Sequence, residues 1–491
     1  MSEKVALGRK TLLIVFQYLI GSILGLICLS FAANYFSLEV VGFVVGASFS
    51  IFRMITFFSD FGLRQTHMNK VHSSDFATCN SSYLLSKTIL TTIVTAIFLL
   101  IIFSFGTETV LGYETETVRT IFLLFLLCAI LFTIRDIPVG IFDSKRETWK
   151  SQSIILTEHV SRLPLTVLFA FLAINKDFTT ASIYLALTFV LSVLISSIYS
   201  LYLLKGYPFG KPKMMKDYFV SSPGIAFIGG IDIVVLNLDK IILIFIISAQ
   251  DLGIYTGVNR IAQMIFFLST ALITILIPTI SAQKDNEAVN STHFAERYLS
   301  MIIIPLTFLA IAFRKELIMV VLKESFLGGE YTLIILLFAV LLLSISRSNA
   351  VLLFGRKKIR MSLYLNAILA AIYISGIILL SNIYGMNGAA IAMLIAGIFS
   401  FFTFGYSCKI YFGKKIFDKS LIKQFFAGGV MLLLTSFLVR IEVPDELHPF
   451  FLIFVLALGI IVYAAILIAE RELRFRDVRY GLDLINGANK K

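Results

Sequence analysis

Eight ionisable side chains stand inside long apolar runs of this sequence: Arg53, Arg135, Asp136, Arg162, Asp232, Asp239, Lys240 and Arg260. Where such a run crosses a bilayer, each charge costs about 2.5–3.5 kcal/mol on insertion scales and so faces a partner or a water-filled cavity. The chemistry on offer is recognition of ions rather than bond-making. The four cysteines, Cys28, Cys79, Cys128 and Cys408, show no C-x-x-C spacing, so neither a disulfide framework nor a thiolate metal site is indicated. The five histidines are scattered, no H-E-x-x-H occurs, and no catalytic centre is recognisable.

The elements that must carry these charges are membrane helices. Hydrophobic residues make up 58% of the chain and charged residues 15%, where soluble domains have about 45–50% and about 25%. The runs are continuous, unlike the alternating segments of a membrane barrel. Numbered in chain order as helices one to fourteen, they fall at 11–33, 38–60, 83–105, 118–142, 153–175, 181–204, 219–248, 252–280, 296–321, 328–353, 361–382, 384–411, 421–440 and 448–470. A span needs roughly 20 residues. The first run is too long for a signal peptide and no convincing cleavage site follows it, so it is expected to be retained. Helix seven, with Pro223, Gly224, Gly229, Gly230, Asp232 and Asp239, is the one expected to bend or break beside a cavity.

Lysines and arginines fix an orientation. With the N-terminus inside, 30 of the 42 fall in inner segments and 6 in outer ones, a bias that puts both termini in the cytoplasm. The net charge of +12 therefore reads as orientation and contact with anionic lipid headgroups, especially at 205–216, 356–360 and 414–423, and not as a nucleic-acid footprint. The sequons at Asn80 and Asn290 fall in inner loops and are read as chance.

An internal repeat links two of the arginines. SLEVVGFVVG (37–46) aligns with SAQDLGIYTG (248–257), matching Ser37 to Ser248, Gly42 to Gly253 and Gly46 to Gly257 at an offset of six helices. Arg53 follows Gly42 by eleven positions and Arg260 follows Gly253 by seven; the difference of four is about one helical turn. Both arginines are expected on the same face of equivalent helices, at staggered depths, pointing into one cavity. Arg135 and Arg162 lie towards the inner half on helices four and five. They either extend a basic funnel or form local pairs, Arg135 with Asp136 and Arg162 with Glu158.

The segment 239–281, with Asp239, Gly253 to Tyr255, and Pro278 with Ser281, resembles the polysaccharide and lipid-linked oligosaccharide flippases of the multidrug/oligosaccharidyl-lipid/polysaccharide exporter superfamily. FSDFGLRQ (58–65) and YGMNGAAIAMLIAG (384–397) look like the same family. The resemblance implies an all-α membrane protein of two pseudo-symmetric six-helix bundles around a central cavity, plus two C-terminal helices. The corresponding divisions are 1–217, 218–411, 412–470 and a cytoplasmic tail at 471–491. It also implies alternating access.

By that resemblance Arg53 and Arg260 match cavity arginines tied to a lipid pyrophosphate, with Arg135 and Arg162 as further candidates. The planar guanidinium grips phosphate oxygens in pairs and stays charged in low dielectric. Asp239 matches a helix-seven carboxylate of a sodium site, with Asn366 as its partner on helix eleven; an ion pair with Lys240 explains Asp239 as well. SFAANYF (30–36) lacks the Arg-Asp pair of peptidoglycan-precursor flippases, and helix one lacks the carboxylate of drug exporters, which favours the general polysaccharide branch. The expected function is export of a polyprenyl-linked oligosaccharide across the cytoplasmic membrane. The alternative is a cation-coupled multidrug or metabolite exporter of the same fold. A membrane polymerase or ligase would need a long outer loop, which is absent. No cofactor is expected; coupling to a sodium ion, a proton or the membrane potential is left open. Other glycan-assembly membrane proteins, such as a glycosyltransferase, are candidate partners.

Overall fold

The computed structural model describes residues 3–72, 74–104, 109–110, 113–229, 231–416, 418–441, 443–444 and 447–473. It is almost wholly helical; Thr109–Val110 and Tyr113–Glu114 form one small antiparallel pairing. Each of the fourteen runs contains helix. Eleven helices among the described residues are long and apolar enough to cross a membrane. One of these, Ile359–Phe412, has 54 residues. A straight helix of that length would measure about 80 Å, far beyond a bilayer core of about 30 Å. Gly385 breaks it with φ 56°, and a side chain at Gly376 would meet Ala392 at 3.0 Å. The chain therefore doubles back, and this segment is helices eleven and twelve. Helix seven comprises Met215–Gly229 and Ile231–Leu243, and helix eight is Ala249–Ala282. Gly230, between the two parts of helix seven, lies outside the described residues, as do the side chains of Asp232, Pro278 and Ser281.

Helix two is assembled from Leu38–Val40, a π-helical stretch Val41–Ser48 and Phe49–Asp60. The wider turn carries a hydrogen bond from Ser48 Oγ to Phe43 O at 2.8 Å. The repeat glycines explain where this stretch sits. A side chain on Gly42 would come within 2.3 Å of Ala249 O and 2.6 Å of Gly253 N, and one on Gly253 within 2.1 Å of Leu38 O. Helices two and eight thus touch backbone to backbone at the end predicted to face outward. Ser37 and Ser248 are equivalent helix caps: Ser37 Oγ accepts from Val40 N at 3.3 Å, and Ser248 Oγ from Asp251 N at 3.1 Å. Gln250 donates to Glu39 across the contact at 3.1 Å. The main apolar core surrounds this seam, drawing Val41 and Val44 from helix two, Phe125 and Ala129 from helix four, Tyr255 and Val258 from helix eight, and Leu336 and Val340 from helix ten.

Two loop assignments change. The segment 61–82 contains a helix, Leu63–Lys70, and the start of helix three, Phe76–Ser104. Asn80 is buried there, donating to Pro208 O at 3.0 Å. Arg347, tallied with the inner segments in the lysine and arginine count, lies within Glu330–Gly355. Its guanidinium sits 4.1 Å from the Phe266 ring centre and donates to Thr270 Oγ1 at 2.9 Å, which keeps the charge partnered inside the helical layer.

Candidate functional site

The FSDFGLRQ motif ends helix two and opens a charge network. Phe61 and Gly62 take left-handed backbone angles, φ 35° and 83°, and a side chain at Gly62 would collide with Ser222 O at 2.5 Å. The turn aims Asp60 and Arg64 inward. Lys87, buried on helix three, donates to Asp60 at 2.7 Å and to Asp136. Arg64 donates to Asp136 at 3.1 Å and to Asp143. Asp136 is therefore held by Lys87 and Arg64, with Arg135 no closer than 3.9 Å. Adjacent helical residues do not face each other, so Arg135 turns elsewhere.

Arg135 turns to Glu158. It donates to one carboxylate oxygen at 2.5 Å, while Arg162, one helical turn along helix five, donates to the other and lies 3.4 Å from Ser192 Oγ. Arg53 is within electrostatic range of Glu158, Arg135 and Asp136, and Arg260 within range of Arg162 and Arg53. Three of the four arginines singled out from the sequence, Arg53, Arg135 and Arg162, thus lie around one carboxylate, and Arg260 neighbours Arg53 and Arg162. Among the described residues, Arg53 and Arg260 make no salt bridge.

A cavity of about 80 Å³ lies between helices one, two, five, six, seven and eight. Its charged lining among the described residues is Arg162, Lys240 and Arg260, with Thr166, Asn237 and Gln263 as hydrogen-bonding neighbours. Arg53 and Arg135 are not part of that wall. The sequence argument carried one helical period through helix two, and the π stretch at Val41–Ser48 changes the phase before Arg53 is reached. Among the described residues in and around the cavity stand five cations, Arg53, Arg135, Arg162, Lys240 and Arg260, against the carboxylates Glu158 and Asp239, with Asp136 beyond Arg53 and Arg135. Such a surplus in low dielectric calls for an anion.

Asp239 is buried and fully engaged. Lys240 Nζ reaches its two oxygens at 3.0 and 3.1 Å, Tyr255 Oη donates at 2.9 Å and Asn259 Nδ2 at 3.1 Å. Tyr373 of helix eleven lies within electrostatic range of this carboxylate. Asn366, the partner expected from the resemblance, precedes Tyr373 by seven residues, about two turns along the same helix. A sodium ion needs several converging oxygen lone pairs, as hard cations do. This niche presents N–H and O–H donors to one carboxylate, so as arranged it does not fit the ion.

Two residues of the candidate site were named from the sequence without all of their neighbours. Glu158 is the hub of the arginine cluster; its spacing to Arg162 was visible, but nothing marked Arg135 as the second partner. Lys240 was read only as the mate of Asp239, although it also lines the cavity.

Residues 7–284 match the model of the polysaccharide biosynthesis protein family. No curated protein matches the sequence. Among solved structures, the chain is similar to the lipid II flippase MurJ in an inward closed conformation, with TM-score 0.75 and 15% identity over 93% of this chain and 98% of that one. It is also similar to the MATE multidrug transporter DinF-BH, solved as a ligand complex, with TM-score 0.61 and 15% identity over 84% and 96%. A third match is an inward-facing multidrug resistance MATE family transporter of the MOP superfamily, with TM-score 0.56 and 12% identity over 82% and 95%. These likenesses give the chain the fold of a multi-pass membrane transporter.

Proposed function

The chain belongs to the polysaccharide biosynthesis protein family, and from that membership we propose that it flips a polyprenyl-linked oligosaccharide from the inner to the outer leaflet of the cytoplasmic membrane. The observation that carries this reading is Arg260, a half-buried guanidinium on the cavity wall without a salt bridge among the described residues. A diphosphate linker supplies the missing negative charge, and Arg260, Arg162 and Lys240 grip it. The cavity volume corresponds to about six waters, enough for a linker and too little for a glycan. The two halves, 1–217 and 218–411, therefore part on the cytoplasmic side to admit the sugar, and then at the seam of helices two and eight to release it. The polyprenyl tail stays in lipid throughout. Both termini face the cytoplasm, and the basic inner loops rest on anionic headgroups.

Drug export coupled to a cation asks for an apolar or acidic cavity, and the cationic wall speaks against it. Arg260→Ala is expected to abolish surface glycan export while the protein remains in the membrane at normal level. Normal surface glycan in that variant, with its membrane level verified by immunoblot, refutes the reading.

A further inference from the structure

Lys240 belongs to two sites at once. Its ammonium bonds both oxygens of Asp239, and the same side chain lines the cavity beside Arg162 and Arg260. Successive residues on a helix point about 100° apart. Asp239 faces Tyr255, Asn259 and Tyr373 on helices eight and eleven. Lys240 faces the cavity, and its ammonium reaches Asp239 only by curling back across that angle.

We propose that Lys240 is a shared counter-ion: Asp239 holds it while the cavity is empty, and a phosphate in the cavity draws it away to become a substrate ligand. The proposal rests on the flippase reading and deepens it. A lysine suits the exchange because its flexible stem and point charge swing freely, whereas a guanidinium is fixed by its fork. When Lys240 leaves, two neutral donors still hold Asp239 in place: Tyr255 and Asn259. Asp239 and the substrate thus compete for one cation, and the strength of the hold sets the affinity of the cavity.

Competition makes the two partners' substitutions act in opposite directions. Binding of farnesyl diphosphate to the purified full chain in detergent is measured by calorimetry at low salt, with farnesol as the control for tail partitioning. Lys240→Gln is expected to weaken binding about tenfold, the effect of losing one charged hydrogen bond. Asp239→Asn is expected to strengthen it by a similar factor, because it removes the carboxylate that competes with phosphate for the ammonium. Lys240→Arg keeps the charge but, with its fork fixed on Asp239, is expected to bind more weakly than wild type. If Lys240 and Asp239 form only a structural pair, both substitutions weaken binding or leave it unchanged, and either result overturns the proposal. Failure of the wild-type chain to prefer farnesyl diphosphate over farnesol overturns the flippase reading together with it. Wild-type binding without strengthening in Asp239→Asn overturns the shared counter-ion alone.

Discussion

Arg260 and Arg135 carry the same charge and stand in one cluster, yet losing each exposes something different. Arg135 neutralises Glu158, and both side chains are almost fully buried, at 5% and 10% exposure. Arg162 still pairs with Glu158 once Arg135 is gone, so removing Arg135 loses one charged hydrogen bond, about 1.5–3 kcal/mol. Arg260 leaves no carboxylate behind. Arg135→Gln is therefore expected to lower the melting temperature in detergent markedly, and Arg260→Ala to leave it unchanged or raise it; thermal unfolding followed by size-exclusion chromatography distinguishes them. Equal losses in the two variants would show that Arg260 is a structural residue. The arginines were legible in the sequence because a charge in an apolar run is rare and costly. The hub was not, since Glu158 joins helices four and five across 23 residues, and only the folded chain brings Arg135 to it. The resemblance pointed to Asn366 because it is a polar residue on helix eleven, whereas Tyr373 reads as an apolar core residue until the fold brings it into electrostatic range of Asp239.

At the scale of elements, the repeat acquires a physical content. Its serines cap helices two and eight, and its glycines Gly42 and Gly253 let those helices meet. A methyl group at either position has no room in the closed seam. Gly42→Ala and Gly253→Ala are each expected to push the chain towards the conformation open at that end. The measurement is disulfide cross-linking of Glu39→Cys with Gln250→Cys, whose parent side chains hydrogen-bond in the structure. Cross-linking should be efficient in the glycine background and reduced severalfold with alanine; undiminished cross-linking would mean the seam yields without opening. The number and order of the apolar runs were readable from hydropathy alone. The π stretch in helix two was not, because Val41–Ser48 has the same apolar character as an ordinary helix, and what bends it is contact with helix eight.

At the scale of the molecule, the last two helices are tied on by buried charges. Lys414, between helices twelve and thirteen, pairs with Glu296 of helix nine at 2.5 Å, with exposures of 2% and 4%. Arg297 and Ser420 both reach Glu472, beyond helix fourteen. Truncation after Phe412 removes Lys414 and strands Glu296, so the shortened chain is expected to aggregate on extraction. Adding Glu296→Gln to the truncated chain should restore a monodisperse peak in part, and no recovery would show that apolar packing of the two helices matters more than this pair. The outer seam has a further, electrical consequence. At Gly42 and Gly253 backbone presses on backbone. On the proposed function and orientation this contact is the outer barrier of the cationic cavity, and the membrane voltage falls across it. Each negative charge released beyond that layer would then gain about 2.3 kcal/mol per 100 mV. A cell that is negative inside would on that reading favour outward movement of an anionic glycan carrier, with the seam as the place where the work is done.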